Sequence, residues 1–344
     1  MTIEFSHWPE HYGKSFQVTK LLGLASLGFA DVTEIFEACK RIDPGNDETW
    51  VREWLATAEA VERHGRQAEA LGNWISARDA YVRACNYTRN AEFMVMDDER
   101  EKVRLIRKSV ELFEAAGQYF DVKPEKVQIP YEDALLDGYL FTPHWVEGPR
   151  PTLFALNGGE EHSTENYFNL GPAFIAGGYN FFVWDQPGTG LSLYEKGKTR
   201  RADSEAFHSK AIDFLLTRPE VDPDKIIVFG ESFSGYDSLR FASFDQRIAA
   251  VVSDGGTHKF DWPAMLKWMP PSLAAHGLRI LGAKNLDDFA NDPQFAYDLE
   301  GVLHQIQCPL LIVHGAEEAL VQPHPLRQAL TNYEQAGSSN KTFF

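Results

Sequence analysis

From Pro124 onward the chain is punctuated by short, nearly continuous apolar runs: KVQIPY (126–131), LLDGYLF (135–141), PTLFAL (151–156), YNFFVW (179–184), KIIVFG (225–230), IAAVVS (248–253) and CPLLIVHG (308–315). A strand wetted on one face alternates apolar and polar residues. Unbroken runs belong to strands covered on both faces, as in a largely parallel sheet. Helical stretches separate the later runs, most clearly Ala202–Leu216 and Phe233–Phe244. Strands and helices in alternation predict an α/β sheet sandwiched between helices.

The preceding part of the chain has a different texture. Trp50, Trp54, Ala58 and Val61 recur at spacings of four, four and three, one face of a helix that Gly65 is expected to stop. A second helical run covers Ala68 to Cys85, and a third opens on the acidic pair Asp97-Asp98 and ends at Gly117. The expectation is an all-helical domain over residues 1–120, followed by an α/β domain over residues 121–344. Residues 68–84 look like one tetratricopeptide-type hairpin. A solenoid needs about three stacked copies, so a repeat scaffold is set aside.

Charge excludes several partners. The chain has 33 basic and 50 acidic residues, a net charge of -17, which repels phosphate backbones and anionic bilayers. We therefore expect neither nucleic acid nor membrane as a partner. No stretch approaches the ~20 apolar residues that span a bilayer, and the N-terminus lacks a basic-then-apolar signal layout. Cys39, Cys85 and Cys308 are too few and too scattered for a disulfide framework or a zinc cluster. A reduced, cytoplasmic protein is the expectation. There is no H-E-x-x-H, no P-loop and no G-x-G-x-x-G at the first strand, so neither metal nor organic cofactor is expected.

The segment DPDKIIVFGESFSGYDSLRFAS carries the chemistry. A buried strand ends at Gly230, Ser232 follows, and a helix begins at once, the setting of a nucleophile elbow. A serine on so tight a turn crowds its neighbours two residues either side, which must be small. Gly230 meets the first requirement; Ser234 occupies the second, with Gly235 immediately after. The N–H of Phe233 would face a developing oxyanion. LNGGEEHS (156–163) follows a buried strand and offers a second N–H near Gly159 or Glu160, DQPGTGLS (185–192) is a tight glycine turn, and HGAEEALVQP (314–323) lies where a triad acid is expected.

Together these segments resemble the α/β-hydrolase superfamily, and more narrowly its branch with an N-terminal helical cap. That branch includes FrsA-like proteins, 2,6-dihydroxypseudooxynicotine hydrolase and fungal polyketide-shortening hydrolases. The likeness is carried by ARDAYVRACNYTRNAEFM, IPYEDALLDGYLFTP, DQPGTG, RPEVDPDKIIVFGESFSGY and CPLLIVHG. It implies an α/β-hydrolase fold with a helical cap, a small-molecule substrate held between cap and sheet, and a homodimer. It also implies hydrolysis of a C–C bond (a β-diketone or acyl-polyphenol) or of an ester, through an acyl-enzyme on Ser232.

For the acid, Glu318 stands at the expected loop position, with Glu317 and Asp254 as alternatives. The base in this fold is a histidine after the last strand. KTFF (341–344) reads as the start of that strand, and no histidine follows His324. The expectation is that the C-terminal strand and histidine loop extend beyond Phe344. Recruitment of His162 or His258, or a catalytically dead chain, are the other readings. His314 is expected to be a satisfied core group, while His162, His258, Trp262 and Trp268 are expected to contact substrate. Two alternative functions stay open: an acyltransferase or cyclase on the same scaffold, and a non-catalytic binding protein.

Overall fold

The computed structural model describes residues 7–269, 271–285, 287–318 and 324–344. The chain divides into two compact units, Met1–Lys123 with Pro270–Leu273, and Pro124–Met269 with Ala274–Phe344.

The first unit holds helices α1 (Tyr12–Ala25), α2 (Val32–Cys39), α3 (Asp47–Ala70), α4 (Trp74–Phe93) and α5 (Glu99–Gly117). The carboxylates and amide that precede α2, α3 and α5 cap them: Asp31, Asn46 and Asp98 each accept a backbone N–H of the first turn. Trp50, Trp54, Ala58 and Val61 are buried along one face of α3 as their spacing predicts. Gly65 does not stop that helix, which continues to Ala70, and the break comes at Leu71–Asn73. The reason is packing: a Cβ at Gly65 would lie 2.9 Å from the Tyr81 ring of α4, so the glycine admits a neighbouring helix. A fully buried ion cluster links α4 to α5, with Glu92 2.6 Å from Arg89 and 2.8 Å from Lys102.

The second unit is an eight-stranded, mostly parallel sheet flanked by helices. Its strands are β1 (Glu125–Tyr131), β2 (Ala134–Phe141), β3 (Arg150–Leu156), β4 (Asn180–Trp184), β5 (Val221–Glu231), β6 (Ile248–Asp254), β7 (Leu310–Val313) and β8 (Lys341–Phe343). They lie in the order β1-β2-β4-β3-β5-β6-β7-β8. β1 and β2 form an antiparallel hairpin whose second strand meets β4 antiparallel, and every other pairing is parallel. KTFF does begin a strand, adding to β7 in parallel register. The helices are α6 (Ser163–Ala176), α7 (Gly190–Tyr194), α8 (Glu205–Leu215), α9 (Phe233–Phe244), α10 (Trp262–Trp268), α11 (Pro271–Leu281), α12 (Asp288–Asn291) and α13 (Pro325–Gln335). The central strands are dry on both sides, with Phe154, Phe182, Trp184 and Val228 buried, as their unbroken apolar runs require. Ligand chemistry in such sheets gathers at the carboxyl ends of the strands. That edge is where the sequence motifs converge.

Candidate active site

Ser232 sits at the junction of β5 and α9 with φ 57° and ψ -116°, a backbone region that a non-glycine residue occupies only under constraint. The constraint is main chain against main chain. A Cβ at Gly230 would fall 1.8 Å from the Ser234 carbonyl oxygen, so no other residue fits there. At Gly235 it would meet Gly256 and the Asp254 carbonyl at 2.6 and 2.7 Å. The Ser232 N–H donates to the Asp254 carbonyl at 2.7 Å, tying the turn to the end of β6. Held this way, Ser232 is exposed while Phe233 and Ser234 beside it are buried.

The loop after β3 lies against this turn. The N–H of Gly158 is taken by the Glu161 carboxylate at 2.8 Å. A Cβ at Gly158 would stand 3.8 Å from that of Ser232, and one at Gly159 3.7 Å from the Phe233 ring. The N–H groups of Gly159 and Phe233 have no hydrogen-bond partner among the described residues. Two such donors beside an exposed serine are the elements of an oxyanion hole. Glu160 is in the left-handed region (φ 58°) and its carboxylate is buried, 2.8 Å from His276 Nδ1 and hydrogen-bonded by the Tyr194 hydroxyl.

Ser234, of which the elbow demands only small size, is a fully buried hub. Its hydroxyl donates to the Asn157 carbonyl and accepts from Gln186 Nε2 at 3.2 Å and Arg200 Nη2 at 2.6 Å. Arg200 escapes sequence reasoning, because an arginine in a turn reads as a solvated charge. It is fully buried and pairs with Asp237 of α9 at 2.8 Å. Burial alone would raise the Asp237 carboxyl, but Arg200 and the neighbouring His208 outweigh it and hold it below the usual carboxylate value.

The acid candidates meet at the ends of β6 and β7. Asp254 is half-buried and burial pushes its carboxyl up, with His314 acting the other way. Burial lowers the His314 imidazole, and the charges of Glu318 and Asp254 oppose that shift. The charges of both carboxylates therefore act on one histidine. Contrary to expectation His314 is not a satisfied core group, since its buried ring nitrogens have no hydrogen-bond partner among the described residues. Glu318 is half-buried and Glu317 is exposed.

Of the predicted substrate contacts, His162, His258 and Trp262 each have neighbours of their own. His162 is buried at the N-cap of α6, its N–H on the Glu165 carboxylate at 2.9 Å. His258 has both ring nitrogens engaged, Nδ1 with Asn332 at 2.8 Å and Nε2 with Glu300 at 3.2 Å. Trp262 is buried in an aromatic cluster with Phe233, Phe260 and Tyr297 rather than displayed on a surface. The side chain of Trp268 lies outside the described residues. Among the described residues no group of three His, Cys, Asp or Glu is arranged to hold a metal ion, and no helix is long and apolar enough to cross a membrane.

The profile described as "Esterase FrsA-like" matches residues 43–272, two thirds of the chain and both the α3–α5 helices and the elbow. The chain belongs to the FrsA-like esterase family. Its FrsA-like relatives include the α/β hydrolase xenA of Xenoacremonium sinensis, 35% identical over 248 residues. That match takes in 69% of this chain and 58% of xenA, so the chain spans little more than half of that relative's length. The 20-hydroxy-prefusarin hydrolase FUS2 of Gibberella moniliformis is 29% identical over 361 residues, covering 92% of this chain and 86% of FUS2. Among solved structures, 2,6-dihydroxy-pseudo-oxynicotine hydrolase superposes with a TM-score of 0.80 at 23% identity, over 94% of this chain and 87% of that one. The fold of this FrsA-like chain is accordingly that of the α/β hydrolases.

Proposed function

We propose that the protein is a serine hydrolase that cleaves a C–C bond or an ester through an acyl-enzyme on Ser232. The observation that carries this reading is an exposed serine in a constrained backbone conformation, beside the N–H groups of Gly159 and Phe233, which have no hydrogen-bond partner among the described residues. Ser232 Oγ attacks a substrate carbonyl and gives up its proton to a histidine base. The two N–H groups hold the oxyanion. Collapse breaks the bond to the leaving group, which takes the proton from the histidine. Water then adds to the acyl carbon, its proton again passing to the base, and the acid is released with Ser232 restored. Glu318 or Asp254 orients that base.

A carbon leaving group departs only as a stabilised enol or phenolate, so a β-diketone or an acylated polyphenol suits the reaction and an ordinary ketone does not. The name of the relative FUS2, a hydrolase of 20-hydroxy-prefusarin, supports a hydroxylated small-molecule substrate. The test is Ser232→Ala in the full-length protein. Loss of p-nitrophenyl butyrate hydrolysis and of fluorophosphonate labelling is expected. Turnover at the parent level would overturn the assignment. Hydrolysis in oxygen-18 water should place one label in the released acid, whereas an acyl transfer to alcohol would place none.

A further inference from the structure

Arg200 touches both halves of the proposed oxyanion hole, though it lies some thirty residues from the elbow. On the loop after β3 its Nη2 donates to the Asn157 carbonyl at 2.7 Å and its Nη1 to the Gly158 carbonyl at 3.3 Å. On the elbow side Nη2 also reaches the Ser234 hydroxyl at 2.6 Å, and the guanidinium lies 4.3 Å from the centre of the Phe233 ring. Asp237 at 2.8 Å fixes the fork from behind. The side chain is fully buried and its own backbone N–H is anchored on the Ile280 carbonyl at 2.8 Å, so the whole residue is immobilised.

We infer that Arg200 is a positioning residue that aims the Gly159 N–H at the reaction centre. The carbonyl of Gly158 and the N–H of Gly159 belong to one planar trans peptide and point in opposite directions. Fixing the carbonyl on the guanidinium therefore fixes the direction of the N–H. The second donor, Phe233 N–H, is set in the same act, because the guanidinium covers the Phe233 ring and bonds the hydroxyl of the next residue. One planar group with several donors at fixed angles thus registers two segments that come from different strands. A lysine cannot do this: its ammonium is a point charge on a flexible stem, without the rigid fork that meets two carbonyls and a hydroxyl together. Preorganised donors act through their direction, since hydrogen bonds weaken steeply as they bend.

This inference rests on the acyl-enzyme reading of Ser232, and the experiment separates the two. Arg200→Lys keeps a partner for Asp237. Arg200→Met combined with Asp237→Leu removes both charges, so that neither is left buried alone. In the full-length protein each is assayed with p-nitrophenyl butyrate and its thiono analogue, whose sulfur is a poor acceptor for oxyanion-hole donors. Active sites are counted by fluorophosphonate labelling. We expect kcat per labelled site to fall by roughly 10²-fold, the scale of losing one oxyanion donor. KM should change little, and the preference for the oxygen ester over the thiono ester should collapse. A merely structural role would lower the melting temperature and leave that preference intact. Parent-like kcat and parent-like ester preference in either folded variant would overturn the role of Arg200 while leaving Ser232 untouched. Failure of the parent itself to label at Ser232 would overturn the hydrolase reading, and the inference with it.

Discussion

The Ser234 hydroxyl is bonded at once to the loop after β3, the turn after β4 and Arg200. Replacing it with glycine would restore the familiar spacing of small residues around Ser232, yet we expect Ser234→Gly to destabilise the fold. The Asn157 carbonyl, Gln186 and Arg200 would each lose one of several partners, at about 0.5–1.5 kcal/mol for each hydrogen bond lost. A lowered urea midpoint with an unchanged m-value would record it. Gly230→Ala should be far worse. With only 1.8 Å between the new Cβ and the Ser234 carbonyl, the turn itself must open, and we expect a loss above about 4 kcal/mol. A denaturation midpoint close to the parent's would contradict that. The serine and its leading glycine are legible in the sequence because the turn imposes them locally. The partners of Ser234 are not, because Asn157, Gln186 and Arg200 reach it from other segments and no spacing rule connects them.

At the scale of elements, the strands follow from apolar pattern alone, since the runs from β1 to β7 coincide with the predicted ones to within a few residues. Gly65 shows where pattern reading fails. A glycine inside a helical period marks a stop or a close neighbour, and only the packing of α4 on α3 tells which. Charges carry the same ambiguity. Charged residues are mostly exposed, yet Arg89, Glu92 and Lys102 form the buried cluster that holds α4 to α5. Glu92→Gln would leave two cations in the interior without their counter-charge. We expect a loss of about 3–5 kcal/mol in urea unfolding. An effect below about 1 kcal/mol, the usual size for an exposed pair, would show that the cluster is hydrated.

For the whole molecule, stability depends on pH through groups in the interior of the α/β unit. Burial holds His208 and His314 below the ordinary histidine value. The unfolded chain takes up protons at these residues near pH 6.5 while the native chain does not. Stability is therefore full above that pH and falls as the solution is acidified through it. Asp237, depressed in the opposite chemical sense, adds its loss only below the usual carboxylate value. Urea unfolding between pH 7.5 and 5 should show this slope. His208→Gln should flatten it by up to one proton, about 1.4 kcal/mol per pH unit; an unchanged slope would assign the dependence elsewhere. The junction of Gly230, Gly235 and Gly256 has a consequence for engineering. The turn at Ser232 is shaped by backbone pressed on backbone, so its geometry does not depend on the side chains that would touch a substrate. A mutant library that diversifies those side chains should retain acylation chemistry across most members and redistribute only selectivity. A library that admits any other residue at these three positions should yield inactive clones whatever else it contains.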